Sequence, residues 1–111
     1  MGYSRAVVQG DWCFVSGVTG YDYATMKMPE SVAMQTRNCF ATISKVLSEA
    51  GFEMADIARV QYTVVDSALV DELVPALGES LGGIRPAATM IIAGLIKPEM
   101  LIEIEVTAYR G

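Results

Sequence analysis

The stretch from Arg85 to Arg110, RPAATMIIAGLIKPEMLIEIEVTAYR, constrains the fold of this chain more than any other. Its second half alternates, with Ile102, Ile104 and Val106 on one side and Glu103, Glu105 and Thr107 on the other. Strand side chains point to opposite faces with period two. The run Leu101–Ala108 therefore predicts a strand with one face on a core and two carboxylates on the other. A preceding apolar run, Ala88–Ala93, predicts another strand, and the turn-like Gly94–Glu99 between them reads as the bend of a hairpin. A carboxylate on a sheet face is either solvated or part of a site, which makes Glu103 the residue to follow.

The remaining segments supply the partners such a strand needs. Tyr3–Val8 and Trp12–Ser16 predict a hairpin turned at Gln9-Gly10-Asp11. Ser16-Gly17 closes it, and Gly17 either allows a ligand to approach the backbone or serves a bend. Val18–Pro29 reads as a loop with room for a short extra strand; its Tyr21 and Tyr23 either line a pocket mouth or, as the plainer reading, cover the core edge. Ser31–Ala50 has helical periodicity, with Val32, Cys39, Phe40, Ile43, Val46, Leu47 and Ala50 forming an apolar stripe. Gln35, Arg37, Asn38, Ser44, Lys45 and Glu49 fill its polar positions, Ser31 is the expected N-cap and Gly51 the stop. Ile57–Val65 alternates as a strand. Ala68–Leu81 carries leucines at four-residue steps, but Pro75 inside it predicts a kinked, split or short helix. This order predicts an α+β layer, a mixed or largely antiparallel sheet with two helices on one face. The other face has no helix to cover it.

At 111 residues the chain reads as one domain, 1–111, yet 52% of its residues are hydrophobic and only 19% charged. That apolar excess and the uncovered sheet face predict packing between copies of the chain. No apolar run is long enough for a membrane span, and no secretory leader is visible at the start. Two cysteines, Cys13 and Cys39, make neither a disulfide framework nor a metal site. Both read as packing residues, and a cytoplasmic setting is the default. The net charge of −5 argues against nucleic acid as the main partner. There is no histidine, which excludes Ser-His-Asp and Cys-His mechanisms and His-ligated zinc.

Five motifs, GYSRAV at the start, FVSG at Phe14–Gly17, QTR at Gln35–Arg37, RPA at Arg85–Ala87 and IEIEV at Ile102–Val106, occur in order along nearly the whole chain. In this the sequence resembles the RidA (YjgF) family. The resemblance implies a chorismate-mutase-like α+β fold and a homotrimer with ligand clefts between subunits. It implies hydrolysis of reactive imines and enamines, such as 2-iminobutanoate and 2-aminoacrylate, to keto acids and ammonia, without metal or organic cofactor. It places a pocket tyrosine at Tyr3, a serine–glycine pair at Ser16 and Gly17, and a water-orienting glutamate at Glu103. A carboxylate of this kind suits general-base catalysis when burial raises its pKa.

One position departs from the pattern. Deaminase members of the family read P-A-R-S/T, and the arginine holds the substrate carboxylate through a bidentate pair. Here Ala88 stands at that place. Either the chain belongs to an alanine-bearing branch that does not deaminate 2-imino acids, or another cation takes over. Arg5 is the candidate, since alternation puts it on the same face as Tyr3; a solvated arginine or an intersubunit ion pair is the plainer reading. Two functions follow: an imine or enamine hydrolase with altered substrate, or a non-catalytic trimer that binds a small metabolite such as a carboxylate, or a partner protein. The ribonuclease reading attached to old family names fits poorly with the negative charge and missing histidine.

Overall fold

The computed structural model describes residues 2–111. Its elements are β1 (Ala6–Gln9), β2 (Trp12–Thr19), α1 (Val32–Glu49), β3 (Ile57–Val64), α2 (Val70–Leu81), β4 (Ala87–Ile92) and β5 (Ile102–Tyr109). They build one five-stranded sheet in the order β1-β2-β5-β3-β4, antiparallel except where β3 runs parallel to β4. α1 packs on β2 and β5 and against α2, so the layer is α+β with a mixed sheet, as expected. No helix among the described residues is long and apolar enough to cross a membrane.

The alternation in β5 has the predicted outcome. Ile102, Ile104, Val106 and Ala108 are all buried towards the helices. The α1 stripe meets them with Phe40, Ile43 and Leu47, and Ile43 and Leu47 are fully buried. Burying a side chain of that size stabilises by about 1.5–3 kcal/mol. Ser31 caps α1, its hydroxyl accepting from the Met34 N–H at 3.1 Å. Gly51 ends the helix at φ +85°, a conformation that costs a side-chain-bearing residue energy, and lets Phe52 N–H return to Leu47 O at 2.8 Å.

Several boundaries depart from expectation. β4 and β5 do not form a hairpin: β3 lies between them. β4 instead pairs with β3 through the β3-α2-β4 crossover, a connection that parallel strands require. β5 thereby becomes a central strand with both backbone edges paired. β2 does not stop at Ser16 but continues to Thr19. Its register against β5 shifts between Val15 and Val18, a bulge that absorbs one residue and keeps both valines core-facing. β1 begins at Ala6 rather than Tyr3. α2 follows a 3₁₀ turn, Ser67–Leu69, and runs unbroken through exposed Pro75, which costs it one donor without splitting it. The extra strand allowed for in the 18–29 segment is no more than a bridge between Asp22 and Lys27.

The sheet face away from the helices is uncovered in the chain and only partly apolar, with Gln61, Thr63, Glu103, Glu105 and Thr107 along its central strands and an aromatic group at one end. Trp12, Phe14 and Tyr109 sit there 42%, 46% and 45% exposed, with Trp12 4.7 Å from the Tyr109 ring and 6.4 Å from that of Phe14.

Candidate functional site

The bulge in β2 is the local structure from which the site is built. The bulge lies between the Val15–Val106 and Val18–Ile104 pairs. Just beyond it on β5 stands Glu103, which pairs in register with Thr19 on one side and Thr63 on the other and whose side chain reaches back to the bulge. Glu103 is half-buried. Gly17 backs directly onto it: a Cβ at Gly17 would lie 2.6 Å from Glu103 Cδ and 2.7 Å from Oε1. The glycine is required by that close approach. Any side chain there would displace the carboxylate, so Gly17 is not a strand end but a residue of β2 packed against Glu103.

Ser16 and Arg5 complete the cluster. The Ser16 hydroxyl donates to Ser4 O at 2.5 Å, and Ser16 N–H donates to Arg5 O at 2.9 Å. Arg5 precedes β1 and does not follow the strand alternation assumed from Tyr3. Its Nη1 donates to Gly17 O at 2.9 Å and to Ser16 O at 3.4 Å, while its guanidinium lies 5.9 Å from the centre of the Tyr23 ring. The ion pairs among the described residues are Arg37–Glu79 and Arg110–Asp56, so neither Arg5 nor Glu103 belongs to one.

Tyr3 and Ala88 stand apart from this cluster. Tyr3 is 61% exposed, next to the Ser4 carbonyl that Ser16 holds. Ala88 pairs with core-facing Val60 and borders a groove of about 300 Å³ with Val74, Leu77, Leu81 and Pro86. β4 lies two strands from β5, roughly 10 Å at ordinary strand spacing. Ala88 follows the helix-side register of Val60, whereas Glu103 follows Thr63 on the opposite side. Within one chain these two positions share no cleft. Tyr21 and Tyr23, read as covering the core edge or lining a pocket mouth, border a surface hollow of about 320 Å³ with Asn38 and Lys45.

Gln35 was expected on the polar side of α1 but is 1% exposed. Its Nε2 donates to Pro29 O at 2.8 Å and Glu99 O at 3.0 Å, and its Oε1 accepts from Leu101 N–H at 2.9 Å. It anchors the chain immediately before Glu103. The signal was present: position 35 lies three residues after Val32 and four before Cys39, inside the apolar stripe. Tyr21 ties down the same loop, donating to Glu99 Oε2 at 2.7 Å; that bond pushes the phenol pKa up and the carboxyl pKa down.

Cys39 lies on α1 behind this cluster and donates to Val18 O at 3.3 Å. Burial, with the negative charge of Glu103 adding to it, pushes its thiol up from 9.0 to about 12. A thiol whose folded pKa is raised contributes stability that is full below pH 9 and is lost as pH rises towards 12. Wild-type protein is expected to lose roughly 1–2 kcal/mol more between pH 9 and 10.5 than Cys39→Ala. Urea melts of both across that range check this; parallel curves would contradict it.

The comparisons with known proteins agree with this architecture. The family model described as endoribonuclease L-PSP matches residues 1–110. An uncharacterized protein of Streptomyces coelicolor is 30% identical over 111 residues, 99% of this chain and 83% of that protein. A RutC family protein of Pyrococcus horikoshii is 27% identical over 97% of this chain and 86% of its own length. Among solved structures, a Mycobacterium tuberculosis member of the YjgF/YER057c/UK114 family superposes with a TM-score of 0.88 at 35% identity, covering 98% of this chain and 87% of that one.

Proposed function

The chain belongs to the endoribonuclease L-PSP family, also called RidA (YjgF), and on that premise we propose that it hydrolyses a reactive imine or enamine to a carbonyl compound and ammonia. The observation that carries this reading is Glu103, a carboxylate held half-buried against the Gly17 backbone and unpaired with any cation among the described residues. Such a group is positioned yet not neutralised, which a general base requires. Glu103 takes a proton from water as the oxygen adds to the C=N carbon. The nitrogen gains that proton to give an amino alcohol. The hydroxyl proton then passes by way of Glu103 to the nitrogen as C=O forms and the C–N bond breaks, releasing ammonia, an enamine having first taken a proton at carbon to become the imine. Ser16 and Gly17 border the ligand, and Tyr3 covers it.

The site is read as an intersubunit cleft in a homotrimer. Two observations support this: the exposed aromatic group of Trp12, Phe14 and Tyr109 on the uncovered sheet face, and the placement of Ala88 and Glu103 on opposite sides of one sheet. The family's pairing of those two positions in one pocket calls for two copies of the chain. RNA is the poorer substrate on charge grounds, since the chain carries −5 and backbone phosphates need clustered cations.

The test generates 2-aminoacrylate in situ and follows keto-acid and ammonia release, with sedimentation alongside. Acceleration over buffer by a species three times the chain mass is expected. A monomer would remove the cleft. Stabilisation by keto acids in a thermal melt without turnover would make the protein a metabolite binder instead.

A further inference from the structure

We propose that Arg5 is a positioning residue for Glu103, acting through the Ser16–Gly17 bulge; this rests on the reading of Glu103 as the water-activating carboxylate. A bulge interrupts the hydrogen-bond ladder and leaves its extra residue to find other partners. Here the guanidinium supplies them, with Nη1 donating to Gly17 O at 2.9 Å and to Ser16 O at 3.4 Å. Charge-assisted bonds of this kind are stronger than neutral ones. The contact is reciprocal, because Ser16 N–H returns to Arg5 O at 2.9 Å. The Tyr23 ring, 5.9 Å away, flanks the guanidinium on another side.

Gly17 transmits this restraint. The space a side chain would occupy at Gly17 is filled by Glu103 Cγ, Cδ and Oε1, all within 2.9 Å of a Cβ built there. A shift of the bulge therefore shifts the wall against which the carboxylate rests. Arg5, with Nη1 committed to two carbonyls, serves the geometry of the base and not the grip on a substrate carboxylate. The two roles predict different kinetics. An anchor acts on KM, whereas a residue that aligns the base acts on kcat.

The experiment uses full-length Arg5→Ala and Arg5→Lys proteins, with 2-aminoacrylate generated in situ as the probe. Arg5→Ala is expected to lower kcat about ten- to a hundredfold with KM changed less than about twofold. Arg5→Lys, which keeps a cation for the carbonyls, is expected to recover part of that loss. In a Glu103→Gln background Arg5→Ala is expected to cost nothing further. A KM rise of about tenfold with kcat intact would overturn the proposal and make Arg5 a substrate anchor. A second arm needs no turnover: the Gly17 amide and the Glu103 side-chain carboxyl signals in NMR are expected to move in Arg5→Ala while the Ile43 methyls stay in place. Unmoved Glu103 signals overturn the proposal whatever the assay gives. Wild-type protein without turnover would defeat the functional reading, and the spectra would still decide on Arg5.

Discussion

Glu103→Gln is expected to lower kcat for imine hydrolysis by about 10²–10⁴-fold, the usual contribution of a positioned general base. The amide has the size of the carboxyl group and fits the same place against Gly17, whose absent side chain makes room for either. KM should change little, because the substituted group still fills the site, and the melting temperature should stay close to that of the wild type. A companion change separates chemistry from position. Gly17→Ala keeps the carboxylate but builds a methyl 2.6 Å from its Cδ, so the glutamate must move. Since the displaced atoms are the far end of a flexible side chain, activity should fall far more than stability. Full activity in Glu103→Gln would show that this carboxylate takes no part in the reaction.

Gln35→Ala is expected to cause the largest loss of stability among single polar substitutions in the chain, about 3–5 kcal/mol. Three backbone groups depend on the Gln35 amide: Pro29 O, Glu99 O and Leu101 N–H. Removing it leaves them short of partners in a place where the side chain is 1% exposed, and it opens a cavity beside them. Each orphaned buried group costs about 1–3 kcal/mol, and partial rehydration through the cavity brings the sum down. For a domain of this size the melting temperature should fall by about 10–20 °C. Because residues 99 and 101 lead directly into β5, activity should also decline at temperatures where the protein is still folded. Arg37→Ala is the contrast: its pair with Glu79 is exposed on both sides, and its loss should scarcely change the melt. Comparable melts for the two variants would refute the anchoring role of Gln35.

Much of the architecture was legible because it is local. The period-two run at 101–108 and the helical stripe at 31–50 specify strand and helix from neighbouring residues alone, and burial followed both patterns. The cap at Ser31 and the stop at Gly51 are equally local, since each depends on backbone groups within one turn. Family motifs in register identified the fold class and singled out Glu103 before any pairing was known.

What the chain order could not specify was pairing between distant segments. The 85–110 stretch looked like a hairpin because its two runs adjoin in sequence. A strand's partners, however, are whichever edges satisfy both rows of its backbone groups, and for β5 these are β2 and β3. Ser16-Gly17 reads as a strand end, and only the register of Val106 and Ile104 across from it makes it a bulge. Gln35 is polar by composition but buried, because two loop carbonyls and an N–H arrive from far along the chain to use its amide. Arg5 followed no strand alternation, because β1 begins one residue later and the bulge carbonyls drew its guanidinium aside. Periodicity assigns a residue to a face through its own neighbours, while hydrogen bonds and close packing between remote segments select its contacts, and at Glu103 those contacts make the candidate site.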